Sequence, residues 1–125
     1  MNHKIKGRKL GRTSSHLEAM LANQATSLFR YGRIKTTHCK CKELRVVAEK
    51  LITIAKVDSL HSRRKVARII RDKIVLKKLF SEIAPEFVDR PGGYTRILKL
   101  ATRVNDGAPI SFIQLVNYQP PEEEK

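Results

Sequence analysis

Tyr94-Thr95-Arg96-Ile97-Leu98-Lys99-Leu100, then Asn105-Asp106-Gly107, then Ile110-Ser111-Phe112-Ile113-Gln114-Leu115-Val116 reads as two strands joined by a turn. β-branched and aromatic residues suit a pleated, half-buried surface, and Asn-Asp-Gly offers the positive-φ residues of a tight connection. Pro91-Gly92-Gly93, just before the first strand, predicts a flexible turn of close approach. Upstream of it the apolar period changes from two to helical, so the fold combines a small sheet with helices.

The first helix follows a Ser15-x-x-Glu18 capping-box spacing, carries Leu17, Met20, Leu21, Ala25 and Leu28 as an apolar stripe, and stops at Gly32. Its other face carries Ala19, Asn23, Thr26 and Arg30, small or neutral residues and one cation with no acid, and suits close approach to a sugar–phosphate backbone. Gln24 falls inside the stripe and needs a partner. Residues 33–37 lean towards a strand. Leu44, Val47, Ala48, Leu51, Ile52 and Ala55 mark a second helix over 40–56. Asp58-Ser59 predicts a turn and cap for a third, with Arg64, Arg68 and Arg71 on one stripe and Val66, Ile69 and Ile70 on the reverse. Asp72 is placed to cap a fourth, whose core face is Leu76, Leu79, Phe80 and Ile83 and which is expected to end before Pro85. The order α, β, α, α, α, β, β predicts a two-layer α+β domain over residues 14–118, with a three-stranded sheet covered by helices. Residues 1–13 read as a basic flexible arm and 119–125 as an acidic, frayed tail.

At 125 residues the chain is long enough for one domain with a real core. Its apolar runs are only a few residues long, so no segment is expected to span a bilayer, and the opening residues lack a secretory apolar stretch. The formal charge is +14 and unevenly spread: residues 1–78 hold 21 basic and 5 acidic side chains, residues 79–125 only 5 and 7. Self-repulsion on that scale weakens a compact state, and a polyanion offsets it. Nucleic acid is the expected partner.

Catalytic and metal readings find little support. Cys39 and Cys41 are too close to cross-link distant parts of the fold, which suggests a reducing, intracellular compartment. With His38 and His61 they lack the two separated ligand pairs of a zinc site, and on a helix positions i and i+2 point apart. No third group orients a Cys–His pair, and Gly92-Gly93 is not a phosphate-binding fingerprint. No enzyme, metal or cofactor is expected. His16 can be a solvated first-turn residue or a phosphate or base contact. Tyr94 can be a core ring or can pack on a ribose.

Gly7-Arg8-Lys9-Leu10-Gly11-Arg12-Thr13-Ser14-Ser15-His16 and Ile34-Lys35-Thr36-Thr37 resemble the opening of the bacterial large-subunit ribosomal protein seventeen family. The resemblance continues through Lys42-Glu43-Leu44-Arg45, Leu51-Ile52-Thr53-Ile54-Ala55-Lys56, Arg90-Pro91-Gly92-Gly93-Tyr94-Thr95-Arg96-Ile97-Leu98-Lys99 and Asn105-Asp106-Gly107-Ala108-Pro109. It departs at His38-Cys39-Lys40-Cys41, where the family commonly has Leu-Pro-Lys-Ala. The resemblance implies a mixed three-stranded sheet and an architectural protein on large-subunit rRNA near the outer end of the exit tunnel. Large-subunit rRNA and neighbouring ribosomal proteins are then the partners, in the cytoplasmic ribosome, with no membrane, small-molecule substrate or homo-oligomer.

The expected RNA contacts are Asn2, His3, Lys4, Lys6, Arg8, Lys9 and Arg12 in the arm, and Ser14, Ser15 and His16 at the first helix. On the body they are Arg30, Lys35, Arg63, Arg64, Arg68, Arg71, Arg90, Gly92, Gly93, Tyr94 and Arg96. The alternative from another class is a DNA-binding regulator using the basic third helix, although that helix has no Asn or Gln to read base edges.

Overall fold

The structure is a computed structural model that describes residues 14–120. Helix α1 (Ser14–Tyr31) buries Ala25, Leu28 and Phe29, with Leu21 packed beside them. It is already helical at Ser14, which places Ser15 inside the first turn and not at the cap. Gly32 ends the helix at φ +78°, its N–H donating to the Leu28 carbonyl. A side chain there is excluded twice: by the left-handed backbone, and by the Tyr118 ring, which lies 2.8 Å from where a Cβ would stand. Strand β1 (Arg33–Thr37) follows at once.

Helix α2 (His38–Ala55) is the centre of the molecule. Cys41, Leu44, Ala48, Leu51, Ile52 and Ala55 recur at helical spacing and are all buried. The helix begins at His38, two residues earlier than its apolar pattern predicts, although the run lacks proline and Thr37 makes no side-chain cap. A contact from outside the helix anchors this start: His38 Nδ1 and Ser111 Oγ are hydrogen-bonded at 2.8 Å.

Helix α3 (Leu60–Ala67) is capped as expected, Ser59 Oγ accepting from the Ser62 N–H at 3.1 Å. It is shorter than its cationic stripe suggests. Arg68 is the C-cap and Arg71 lies in the linker, because Ile69 and Ile70 turn inward on a non-helical path. Helix α4 (Lys73–Lys78) starts on Asp72, whose Oδ1 accepts from the Ile74 and Val75 N–H groups at 2.9 and 3.3 Å.

The chain does not stop before Pro85. It continues through a π-helical turn (Leu79–Ile83) into α5 (Ala84–Glu86). Within an α-helix Pro85 would clash with the carbonyl four residues back. Here the Ala84 N–H reaches back five residues to Leu79, and that wider turn carries the chain past the proline.

Strands β2 (Thr95–Thr102) and β3 (Pro109–Leu115) complete a sheet in the order β1-β3-β2. The α+β class is as expected, but the sheet is antiparallel throughout and not mixed. β1 and β2 run the same way, yet β3 lies between them, so no parallel pair forms. Arg33 is in register with Gln114 and Thr37 with Ile110; across the other ladder Arg96 meets Gln114 and Leu98 meets Phe112. Gly107 (φ +69°) turns the hairpin, and Asp106 braces it by accepting from the Arg103 guanidinium and the Ala108 N–H. Ile34, Ile97, Ile113 and Leu115 face the helices and join the single core.

Candidate nucleic-acid interface

Burial and ion pairing sort the expected contacts into distinct groups. Asn2, His3, Lys4, Lys6, Arg8, Lys9 and Arg12 lie outside the described residues. Ser14, Ser15 and His16 are exposed in the first turn of α1.

Arg64, Arg68 and Arg71 follow one another along the end of α3 and its linker, exposed and without an ion pair among the described residues. Between α1 and the last two of these runs a groove of about 690 Å³, lined by Ser15, Ala19, Asn23 and Thr26 on one side and by Arg68 and Arg71 on the other. The small residues of α1 thus form one wall of a cleft whose other wall is cationic. Glu18 and Asp72 also border it.

Two of the expected cations are already engaged. Arg30 pairs with the second carboxylate oxygen of Asp72, tying the end of α1 to the start of α4. Arg63 donates to both oxygens of Asp58, at 2.7 and 3.0 Å, and its guanidinium lies 5.1 Å from the Phe80 ring centre. The same pairing holds the Asp58 carboxyl below its ordinary range. A phosphate must compete with these acids for either arginine.

Lys35 and Arg96 sit on the edge strands, on the sheet face turned from the helices. Arg90 is exposed in the loop before β2, its carbonyl accepting from Lys56 Nζ at 2.7 Å. Gly93 has φ +64°, and at neither Gly92 nor Gly93 would a Cβ meet any atom within 4 Å. That loop is open, so the close approach expected of it is not made among the described residues.

Tyr94 belongs to the core, not to the interface. It is 1% exposed and packs on Phe87 with ring centres 5.2 Å apart. Its hydroxyl accepts from Lys56 Nζ at 2.9 Å and Thr53 Oγ1 at 3.3 Å, which lowers its pKa. A ring so enclosed has no face for a ribose.

The cysteines separate as helix geometry requires: Cys39 is exposed and Cys41 buried. Burial pushes the Cys41 thiol up to about 11, and its sulfur points at the Ser111 carbonyl, 3.6 Å away. Among the described residues no group of three or more His, Cys, Asp and Glu gathers as metal ligands. None of the described helices is long and apolar enough to cross a membrane.

Arg33 was not among the expected contacts. Its guanidinium lies 3.6 Å from the Phe112 ring centre and 5.6 Å from that of Tyr118. Its position two residues before Lys35 on a strand was the available signal, since period two puts both on one face.

Residues 20–116 match the family model described as ribosomal protein L17. The chain is 53% identical to the large ribosomal subunit protein bL17 of Syntrophus aciditrophicus, over 93% of each chain. To its counterpart in Geobacter metallireducens it is 53% identical over the whole of this chain and 70% of the relative. To that of Halothermothrix orenii it is 57% identical, over 87% of this chain and 96% of the relative.

Proposed function

Because this chain belongs to the ribosomal protein L17 family, we propose that it holds segments of folded large-subunit rRNA together, near the exit-tunnel side, by charge and shape. The protein is a structural constituent of the bacterial large ribosomal subunit, not an enzyme, and sits in the cytoplasmic ribosome. The observation that carries the rRNA reading is the run Arg64, Arg68 and Arg71, exposed and unpaired among the described residues, with Arg68 and Arg71 facing the small-residue wall of α1. Cations so placed displace counterions from phosphates and fix the register of the protein on RNA, while shape and a few splayed bases supply specificity. The arm of residues 1–13 adds five cations and no acid to the same task.

Neighbouring ribosomal proteins are the second class of partner. Val104 at the hairpin tip is 99% exposed and Ile74 81%, apolar positions that suit a protein contact more than a phosphate. A DNA reader is not favoured, since α3 has only eight residues and ends before Arg68.

The test is sedimentation of cell extract through a gradient at moderate and then high salt, following this protein by antibody. Co-migration with the large subunit that survives the salt wash is expected; protein left at the top of the gradient overturns the reading. Deleting residues 1–13 is expected to weaken binding to large-subunit rRNA and flatten its salt dependence while the domain stays folded. An unchanged slope removes the arm from the mechanism.

A further inference from the structure

The sheet face turned away from the helices is built in rows. On β3, Ser111, Ile113 and Leu115 point inward and are buried, so Phe112 and Gln114 stand on the opposite face. Pairing places Lys35 and Leu98 beside Phe112, and Arg33 and Arg96 beside Gln114. No acid occurs in any of the three strands.

Polar capacity is left over on this face. The Arg33 guanidinium lies on the Phe112 ring, and its Nε is buried without a hydrogen-bond partner among the described residues. Gln114 is 9% exposed, and its side chain makes no hydrogen bond among the described residues. The buried Arg33 Nε is costly to leave unpaired, while the Gln114 amide keeps some contact with water and is free to meet a ligand.

The chemistry of the rows selects the ligand. Cations on both flanks, with no acid to balance them, call for an anion. A ring covered by a planar guanidinium at the centre calls for a flat, polarisable group. An amide beside it, with one donor end and one acceptor end, matches the edge of a base. Unpaired nucleotides combine all three properties, because splayed bases stack on aromatic rings and arginine planes and present their edges.

We propose that this sheet face is a platform for an unpaired nucleotide of the large-subunit rRNA. The base packs on the Arg33–Phe112 stack, the Gln114 amide meets its edge, and Lys35 and Arg96 take the flanking phosphates. This inference rests on the rRNA-binding reading above and gives it a second surface, apart from the α1–Arg71 cleft.

The experiment irradiates purified large subunits with short-wavelength ultraviolet light, digests RNA and protein, and maps nucleotide adducts on this chain by mass spectrometry. A nucleotide on the peptide that contains Phe112 or Tyr118 is the expected result. Alongside it, the full-length chain is titrated with purified large-subunit rRNA. F112L, which keeps charge and most of the apolar volume, is expected to bind roughly tenfold more weakly with an unchanged salt slope.

Adducts confined to the arm or to residues 63–71, with F112L binding like the parent, overturn the platform and leave the rRNA reading standing. A protein cross-link in place of a nucleotide on that peptide overturns it too. A parent chain with no adduct anywhere and no affinity for rRNA overturns the reading itself. The adduct map needs no variant, so a folding defect in F112L does not disable the test.

Discussion

Cys39 and Cys41 are two residues apart, yet one thiol faces solvent and the other lies within the core beside the Ser111 carbonyl. An alkylating reagent at neutral pH is expected to modify Cys39 alone in the folded chain and both after denaturation, as read by peptide mass. The raised Cys41 value also has a thermodynamic consequence. The unfolded thiol ionises near 9 and the folded one near 11, so the fold holds its proton more tightly. Stability from this site is whole below pH 9 and is lost as pH rises through 9 to 11. The stability gap between the parent and C41A is therefore expected to shrink across that window in denaturant titrations.

Tyr94 carries a different expectation at the same scale. Y94F removes the acceptor for Lys56 and Thr53 but keeps the ring, and is expected to cost about 1 kcal/mol. Its affinity for rRNA is expected to stay that of the parent. A loss of affinity without a loss of stability would falsify the core role.

At the level of the element, Asp72 does two things with two oxygens. One caps α4 and the other holds Arg30. D72A is expected to destabilise by about 1 kcal/mol, the usual worth of an N-cap. D72N keeps a cap oxygen and removes the charge, so its melting temperature is expected to stay close to the parent's. With Arg30 released, D72N is expected to bind rRNA more tightly and with a steeper salt dependence. Equal salt slopes for D72N and parent would mean that Arg30 meets no phosphate.

Elements whose own residues carry the signal were legible in the sequence. The stripe of α2, the Ser59 and Asp72 caps, Gly32 as a stop and Gly107 in the hairpin turn each follow from side chains within a few positions. What escaped depends on partners far along the chain. β1 was expected as a strand, but its single large apolar residue gave only a weak signal; its place in the sheet comes from Ile34 meeting Ile113 across the ladder. Gln24, anomalous in its stripe, reaches Thr36 at 3.5 Å. Pro85 reads as a stop under α-helical rules, and local composition gave no warning of the π-turn that carries the chain past it. Tyr94 beside two glycines and Arg96 is ambiguous in sequence; Phe87 and Lys56, neither adjacent, place it in the core. Among the candidate contacts, exposure was foreseen for the arginines, but the acids that occupy Arg30 and Arg63 were not, because Asp58 and Asp72 read only as turn and cap.

For the molecule as a whole, the excess of positive charge sets how binding responds to salt. Each phosphate neutralised contributes about 0.7 to 0.9 to the slope of log affinity against log salt. Replacing Arg64, Arg68 and Arg71 together by glutamine is expected to lower that slope by roughly two to three if all three meet phosphates. All are exposed, so the melting temperature is expected to change little. R63Q is the control: that arginine is already paired with Asp58, and a smaller change in slope is expected.

The strand order has a consequence for how the chain is made. β3, the strand every sheet contact depends on, is the last of the described elements to be synthesised, and the residues it gathers against Arg33 lie far downstream of it. Until β3 emerges, β1 and β2 have no shared neighbour and the sheet does not exist. The arm, α1 and the arginine run of 63–71 all precede it in translation. The nascent chain therefore exposes the first of its proposed phosphate contacts early, and closes its sheet last.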